Sequence, residues 1–296
     1  MGFRPCGFES RLRHHLYMKI IQYYTNQQLC VGTVEGDFVI PFKFSGDSIE
    51  LINYPNTPFL DNSRALPIKD VRLAPPIANP QKIMAIGLNY KGHIKESKGH
   101  LPEIPIIFSK FPNSIIGNDE LIKWDSNVTK KVDYEAELAV IIGKKAKNIL
   151  EEEALDVVFG YTCANDVSAR DLQFSDGQWT RGKSLDTFCP IGPWIVTKDE
   201  LDPDNLTIRC YLNGRIMQDS NTNQMIFSVT QLVSFLSRHF TLCPGDIILT
   251  GTPEGVGAFR KPSVWLKDGD EIIVEIEGIG RLRNKCREIE TIKSAS

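Results

Sequence analysis

Short apolar runs separated by turn-forming residues recur along most of this chain. Runs of four to nine residues rich in apolar and β-branched side chains have the length and composition of strands. They span residues 18–23, 38–42, 83–86, 105–109, 135–143, 159–164, 206–212, 247–250 and 271–276. Turn signals such as Asn213-Gly214 and Pro244-Gly245-Asp246 separate them. By contrast, Val229 to His239 has its apolar residues at helical spacing. The pattern predicts a β-dominated α+β fold.

Changes in composition along the chain divide it into parts. Residues 18–72 contain short β segments around Gly32 and Gly36 and predict a small β-rich N-terminal domain. Residues 73–80 are rich in proline and poor in backbone donors, which is typical of a stiff linker. Residues 82–290 then predict a larger catalytic domain.

The first 17 residues differ from the rest of the chain. They carry Arg4, Arg11 and Arg13 against the single acid Glu9. This composition fits a short arginine-rich targeting segment. It also fits a non-native extension upstream of Met18, and we leave both alternatives open.

Composition excludes several classes of protein. The 296 residues carry a net charge of −3 with both signs interspersed, whereas nucleic-acid binders usually present a basic face. No apolar run approaches the roughly 20 residues that span a bilayer. The seven cysteines form no CxxC pair, so we expect reduced thiols in an intracellular compartment, either mitochondrial or cytoplasmic. We therefore expect neither nucleic acid nor membrane as a partner.

Two glutamates begin the apolar run at 135–143. Glu135 and Glu137 are two positions apart, so on a strand both carboxylates point to the same face. Two buried like charges are costly unless a cation neutralises them, and oxygen-only ligation favours Mg²⁺, Mn²⁺ or Ca²⁺ over Zn²⁺. The pair alone also fits one glutamate facing solvent at a strand end.

A second polar cluster follows the strand at 159–164. Asp166 stands where that strand ends, and Arg170 and Gln173 follow at helical spacing. We expect the three side chains to share one face of a short helix, with the acid for a metal and the guanidinium for a substrate carboxylate. The alternative is a helix cap with a surface ion pair.

Two further segments supply candidate substrate contacts. Lys183 lies between small residues just before an apolar run, and from there it could reach into a site. The glycine-rich turn around Thr252 presents backbone N–H groups and a hydroxyl, which suit an oxyanion or a carboxylate.

In this order, the segments resemble the fumarylacetoacetate hydrolase superfamily. The matching segments are Gly87-Leu88-Asn89-Tyr90, Asp133-Tyr134-Glu135-Ala136-Glu137-Leu138-Ala139, Asn165-Asp166-Val167-Ser168-Ala169-Arg170-Asp171, Gly182-Lys183-Ser184 and Thr250-Gly251-Thr252-Pro253-Glu254-Gly255-Val256-Gly257. Segments 107–111, 186–190, 220–225 and 259–262 resemble one branch of that family more closely. The resemblance implies a mixed β-sandwich roll with a small β-rich N-terminal domain, and a homodimer.

The resemblance also implies roles for particular residues. It implies Glu135, Glu137 and Asp166 as ligands of Mg²⁺ or Mn²⁺. It implies substrate-binding and oxyanion-stabilising roles for a second set, Arg170, Gln173, Lys183 and Thr252.

Some family members carry a His–Glu pair in a mobile segment. Here His93 and Glu96 fall at i and i+3 of a short predicted helix, and the flexible sequence after them suits a lid hinge. The alternative for His93 is a solvated surface position. We predict that the two residues act as a pair that activates water or moves a proton.

The predicted chemistry is metal-dependent action on a small 2-oxo acid through an enolate, which the metal stabilises as a Lewis acid. Moving a proton gives oxaloacetate keto–enol tautomerisation, the outcome that the resemblance favours. Hydrolysis of a C–C bond in an acylpyruvate and decarboxylation of oxaloacetate are the alternatives; a working His93–Glu96 water site favours hydrolysis. A non-catalytic metal-dependent ligand sensor is a further alternative, against which the retained Lys183 argues.

Overall fold

The computed structural model describes residues 18–54 and 58–290. The predicted extension at 1–17 lies outside the described residues. Of the helices in the described ranges, none combines the length and apolar character that crossing a bilayer requires.

The described part of the chain is dominated by strands. Its β-strands are β1 Lys19–Thr25, β2 Gln28–Glu35, β3 Phe38–Pro41, β4 Leu66–Pro67, β5 Arg72–Leu73, β6 Ile83–Gly87, β7 Ile106–Lys110, β8 Ile115–Ile116, β9 Leu121–Asp125, β10 Val132–Asp133, β11 Ala136–Ile142, β12 Val158–Asn165, β13 Ser168–Ala169, β14 Cys189–Thr197, β15 Thr207–Leu212, β16 Arg215–Asn221, β17 Ile247–Leu249, β18 Glu271–Ile276 and β19 Gly280–Ile289.

Helices are fewer and mostly short. The α-helices are α1 Ser48–Asn53, α2 Lys91–Ser97, α3 Arg170–Ser175, α4 Thr180–Lys183 and α5 Val229–His239. Helices of the 3-10 type span Asn62–Arg64, Ile68–Asp70, Pro112–Ser114, Glu151–Val157, Lys198–Glu200, Thr222–Gln224 and Gly257–Phe259. The predicted helix at Val229–His239 is confirmed; Ser228 caps it by accepting the Gln231 N–H.

Two large sheets carry the fold. A twelve-stranded sheet runs in the order β4-β3-β2-β1-β14-β12-β11-β17-β6-β7, with β5 paired to β1 and β8 to β14. A five-stranded sheet has the order β16-β15-β18-β19-β9, and β10 pairs with β13 apart from both. The β-dominated fold class is confirmed.

The N-terminal strands continue the larger sheet. In the antiparallel pairing of β1 with β14, Lys19 lies opposite Val196 and Ile20 opposite Ile195. The hairpin of β1 and β2 is thereby joined by main-chain hydrogen bonds to the region after residue 82. The predicted boundary between 18–72 and 82–290 stays a prediction.

Strand β11 contributes residues to two core clusters. Leu138 and Val140 belong to the core cluster that includes residues of the five-stranded sheet, whereas Ala139 and Ile141 belong to a second core cluster. Every residue of β11 is buried, as expected for a strand covered on both faces. The polar side chains at its start are therefore buried as well.

Candidate active site

The three predicted metal ligands meet where β11 and β12 lie side by side. Glu135 directly precedes β11, Glu137 lies within it, and Asp166 directly follows β12. Ala136 pairs with Asn165, and Asp166 donates its backbone N–H to the carbonyl of Glu135 at 2.9 Å. One carboxylate oxygen from each of the three acids lies within 4.8 Å of the others, and all three residues are buried.

Asp166 lies off the predicted helix. It stands in the turn after β12, and the short strand β13 separates it from α3, which begins at Arg170. The expectation that Asp166, Arg170 and Gln173 share one helical face is therefore wrong, because pairing of β13 with β10 extends the backbone at 168–169. Arg170 and Gln173 do lie together on α3.

Two cations hold the carboxylates. Lys183 places its Nζ 2.8 Å from Glu135 Oε2 and 2.7 Å from Asp166 Oδ2. Arg170 places Nη1 2.6 Å from Glu135 Oε1, so both oxygens of Glu135 face a positive charge. The predicted role of Arg170 in binding a substrate carboxylate stays a prediction, since the structure places its guanidinium against Glu135, a predicted metal ligand.

A third buried cation has no counterpart in the sequence prediction. Lys110, at the end of β7, lies with its Nζ 2.6 Å from Asp166 Oδ1. The same ammonium donates to the carbonyls of Val167 and Lys183. Lys110 thus ties the strand β7 to the turn that carries Asp166 and to the end of α4.

Asp133 is a second residue that the sequence prediction missed. It is fully buried and accepts from Arg170 Nε at 2.9 Å. It also accepts the backbone N–H groups of Gly257 and Ala258, at 2.8 and 2.9 Å. Asp133 therefore links Arg170 to the glycine-rich segment that follows Thr252.

The charges set the protonation of the site. Burial raises the pKa of Glu135, but Lys183 and Arg170 outweigh it and hold that pKa below its ordinary value. Burial, with Asp166 and Glu135 close by, raises the pKa of Glu137 well above its ordinary value. Burial lowers the pKa of Lys183, but Asp166 and Glu135 outweigh it, so the net pKa is raised and the ammonium is retained.

These residues fit a divalent cation. Within the site, four buried carboxylates face three buried cations, which leaves one formal negative charge. When all four acids are ionised the excess falls on Glu137, because Lys183, Lys110 and Arg170 form ion pairs with the others. A divalent ion would give the cluster a net positive charge, which suits an anionic ligand.

A cavity opens onto the cluster. Its volume is about 210 Å³, which suits a small ligand. The residues that line it are Ile86, Gly87, Leu88, His93, Ser97, Gly99, Phe108, Glu135, Glu137, Arg170, Gln173, Phe174, Trp179, Lys183, Thr252 and Phe259. The cavity lining therefore includes all the predicted site residues except Glu96, which contacts His93, and the predicted metal ligand Asp166, which contacts Lys183.

The His–Glu pair forms on α2 as the spacing predicts. His93 Nδ1 lies 2.7 Å from Glu96 Oε1, and His93 is buried against the cavity rather than solvated. Glu96 Oε2 accepts the Gly255 N–H at 2.8 Å, and the His93 ring centroid lies 5.9 Å from that of Phe259. The pair thus docks α2 onto the glycine-rich loop.

Comparison with known proteins identifies the family. A profile described as fumarylacetoacetate (FAA) hydrolase C-terminal matches residues 82–287, more than half of the chain. The chain belongs to the fumarylacetoacetate hydrolase family. The resemblance drawn from the sequence is confirmed, and so is the expectation of an enzyme.

Relatives of this family match most of the chain. The mitochondrial oxaloacetate tautomerase of Xenopus laevis is 51% identical over 226 residues, 75% of this chain and 70% of that protein. The fumarylacetoacetate hydrolase domain-containing protein 2 homolog of Dictyostelium discoideum is 51% identical over 239 residues, 76% of this chain and 77% of that protein. The closer resemblance of segments 107–111, 186–190, 220–225 and 259–262 to one branch of the family is confirmed, and that branch is the domain-containing protein 2 branch.

A solved structure supports the fold directly. Fumarylacetoacetate hydrolase from psychrophilic Exiguobacterium antarcticum matches with a TM-score of 0.85 at 39% identity. The match covers 92% of this chain and 100% of that one, so it includes the N-terminal strands.

Proposed function

We propose that this protein is a Mg²⁺-dependent oxaloacetate keto–enol tautomerase. The observation that carries the proposal is the buried cluster of Glu135, Glu137 and Asp166, which opens onto a cavity of about 210 Å³ lined with hydrogen-bond donors. Relatives about 50% identical that are named oxaloacetate tautomerases support the choice of substrate.

Glu135, Glu137 and Asp166 would hold the ion. A ligand set made of carboxylates favours Mg²⁺, with Mn²⁺ or Ca²⁺ as alternatives. When bound, the ion supplies a Lewis acid that polarises the 2-oxo group of the substrate.

Tautomerisation moves one proton between C3 and the 2-oxo oxygen. Lys183 keeps its proton because its pKa is raised, so its ammonium stabilises or protonates the oxyanion that develops at the 2-oxo oxygen. Glu96 accepts from His93 Nδ1, which leaves Nε2 as the ring nitrogen that can take the C3 proton. Gln173 and Thr252 bind the distal carboxylate.

Hydrolysis of a C–C bond in an acylpyruvate is the second candidate. The formed His93–Glu96 pair favours it, because a histidine oriented by a carboxylate can also activate water at the cavity. Decarboxylation of oxaloacetate needs the same enolate and stays an alternative.

The decisive experiment follows the disappearance of enol-oxaloacetate with and without Mg²⁺, beside cleavage of acetylpyruvate. We expect Mg²⁺-dependent tautomerisation that Lys183→Met abolishes. The matched control is Lys285→Met, on an exposed position of β19. If neither substrate shows metal-dependent turnover, the catalytic proposal fails, and binding of oxaloacetate without turnover would instead support a ligand sensor.

We infer that the protein is a homodimer. Leu101, Ile104 and Phe111 are exposed apolar residues that flank β7, the terminal strand of the larger sheet. Exposed apolar patches at a sheet edge favour protein association. Light scattering should give twice the chain mass for the wild type, and a smaller mass for Ile104→Asp; a wild-type monomer would contradict the inference.

An intracellular location is also part of the proposal. Mitochondrial relatives support the mitochondrion over the cytoplasm as the compartment. Fractionation of cells that express the full chain would decide between the two.

A further inference from the structure

Gln218 lies one hydrogen bond away from the cavity. It belongs to β16 in the five-stranded sheet and is buried. The register of β15 and β16 shifts between Cys210 and Tyr211, so Met217 is an extra residue on β16. This bulge turns Met217 and Gln218 inward as neighbours and aims the Gln218 amide at the start of β11.

The orientation of the Gln218 amide follows from its partners. The Ala136 N–H, which can only donate, lies 2.9 Å from one end of the amide, so that end is the oxygen. The NH₂ group therefore lies at the other end, where it donates to Thr252 Oγ1 and to the Pro253 carbonyl, both at 2.8 Å. The carbonyl can only accept, which agrees with this assignment.

The fixed amide determines what Thr252 can offer a ligand. The Thr252 hydroxyl accepts from Gln218, so its own hydrogen points elsewhere. Thr252 is buried and lines the cavity. Its hydroxyl is thus held as a donor toward a ligand in the cavity.

Gln173 is oriented in the same sense by an independent contact. Arg170 Nη1, which can only donate, lies 2.9 Å from Gln173 Oε1. The Gln173 NH₂ group is therefore the end of the amide that remains for a ligand. Two cavity side chains from different elements thus both present donors, and a carboxylate is the group that accepts from both.

We propose that Gln218 is a positioning residue that holds the Thr252 hydroxyl as a donor and so selects substrates with a second carboxylate. The proposal rests on the proposed function, in which the cavity binds a 2-oxo dicarboxylic acid. Gln218 touches no substrate and acts through Thr252.

The test compares two ligands of equal chain length. Oxaloacetate and 2-oxobutanoate each have four carbons, and the second has a methyl group in place of the distal carboxylate. Isothermal titration in the presence of Mg²⁺ measures both affinities and gives their ratio for each variant. Titration with Mg²⁺ alone checks that the metal site is intact.

We expect Gln218→Met to lower the preference for oxaloacetate about tenfold, the effect of losing one hydrogen bond to a charged group. Thr252→Val should lower it to a similar extent, and Thr252→Ser, which keeps the hydroxyl, should retain it. In the double variant of Gln218→Met and Thr252→Val the losses should not multiply, because both act on the same hydroxyl. An unchanged preference in Gln218→Met, or multiplied losses, would overturn the proposal.

Gln218→Glu is the second variant, in case Gln218→Met fails to fold. The carboxylate still accepts the Ala136 N–H but has no NH₂ group, so it draws the Thr252 hydrogen to itself. Gln218→Glu should lower the preference for oxaloacetate when Thr252 is present and change it little in a protein that also carries Thr252→Val. An equal fall in both backgrounds would show that the added charge acts directly, and would refute the role of the hydroxyl.

Kinetics separate this proposal from the proposed function. If the protein is a tautomerase, Gln218→Met should raise KM for oxaloacetate about tenfold and leave kcat within about threefold, because the distal carboxylate is bound equally in ground and transition states. A wild type that shows the binding preference without turnover would refute the tautomerase and leave the role of Gln218 standing. Turnover with an unchanged preference in Gln218→Met would refute the role alone.

Discussion

When ionised, Glu137 adds the excess negative charge of the site, so its replacement should stabilise the metal-free protein. Glu137→Gln preserves the shape of the side chain and an oxygen that can accept the Gly251 N–H, a contact of 2.8 Å in the native protein. It removes one carboxylate from a cluster in which four carboxylates face three cations. The variant should therefore be more stable than the wild type when no divalent ion is present.

The structure gives the size of this effect. Carboxylate oxygens of Glu137, Glu135 and Asp166 lie within 4.8 Å of one another, so each like-charge pair, when ionised, repels by at least about 3.5 kcal/mol at an effective dielectric constant of 20. Attraction to Lys183 offsets part of the two repulsions. We expect a net gain of about 2 kcal/mol in the free energy of unfolding at pH 8.

Urea denaturation in a chelator, repeated across pH, measures the gain. Because the pKa of Glu137 is raised in the folded protein, the proton that it binds stabilises the wild type fully below the ordinary glutamate pKa of 4.5. That stability is lost as the pH rises through the raised pKa. Glu137→Gln should lack this loss, so the two proteins should diverge as the pH rises.

Mg²⁺ supplies the second half of the test. It should restore stability to the wild type at pH 8 and leave Glu137→Gln unchanged, since the variant lacks a ligand. Glu152→Gln, on an exposed position, is the matched control and should behave as the wild type does. A Glu137→Gln protein less stable than the wild type in chelator at pH 8 would refute an excess of negative charge at the site.

Three other substitutions test separate contacts. Lys110→Met removes one partner of a buried ion pair and should lower the free energy of unfolding by about 3–5 kcal/mol in urea titration; a loss below about 1 kcal/mol would contradict its role. Glu96→Gln should lower acetylpyruvate cleavage roughly 10²–10⁴-fold without changing Mg²⁺ affinity, if the pair activates water; unchanged cleavage would exclude that use. Gly251 has a φ of +97°, and in Gly251→Ala the new Cβ would lie 2.8 Å from Asn89 Cβ. Because the Gly251 N–H donates to Glu137, the variant should have a lower melting temperature and weaker Mg²⁺ binding. An unaltered Mg²⁺ titration would count against a link between Gly251 and the metal site.

Elements with uninterrupted periodicity could be predicted from the sequence. The helix Val229–His239 and the strand Glu271–Ile276 have the predicted bounds. Strand β14, in the middle of the larger sheet, was not predicted because Pro190 and Pro193 interrupt its apolar run. Proline lacks the N–H that a central strand donates, so its presence argues against such a strand until the partner strands are known.

Site residues also differ in whether local sequence reveals them. Glu135 and Glu137 could be predicted as candidate metal ligands from their local spacing, and Asp166 from its place at a strand end. Lys110 could not be found in this way, because its carboxylate partner is 56 positions away. Gln218 acts on a hydroxyl 34 positions away, and nothing in its neighbouring residues signals that contact. Such roles depend on which strands become neighbours.

The internal cations of the site have a consequence for how the ion is held over time. Lys110, Lys183 and Arg170 keep the carboxylates in place through contacts within the protein. A divalent ion bound by these carboxylates would therefore leave and return without refolding of the chain around it, unlike the ion of a structural zinc site, whose folding depends on the metal. Activity in the cell should then follow the free concentration of the ion within the time of ligand exchange. Protein that has lost its ion should regain activity when the ion returns, without new synthesis.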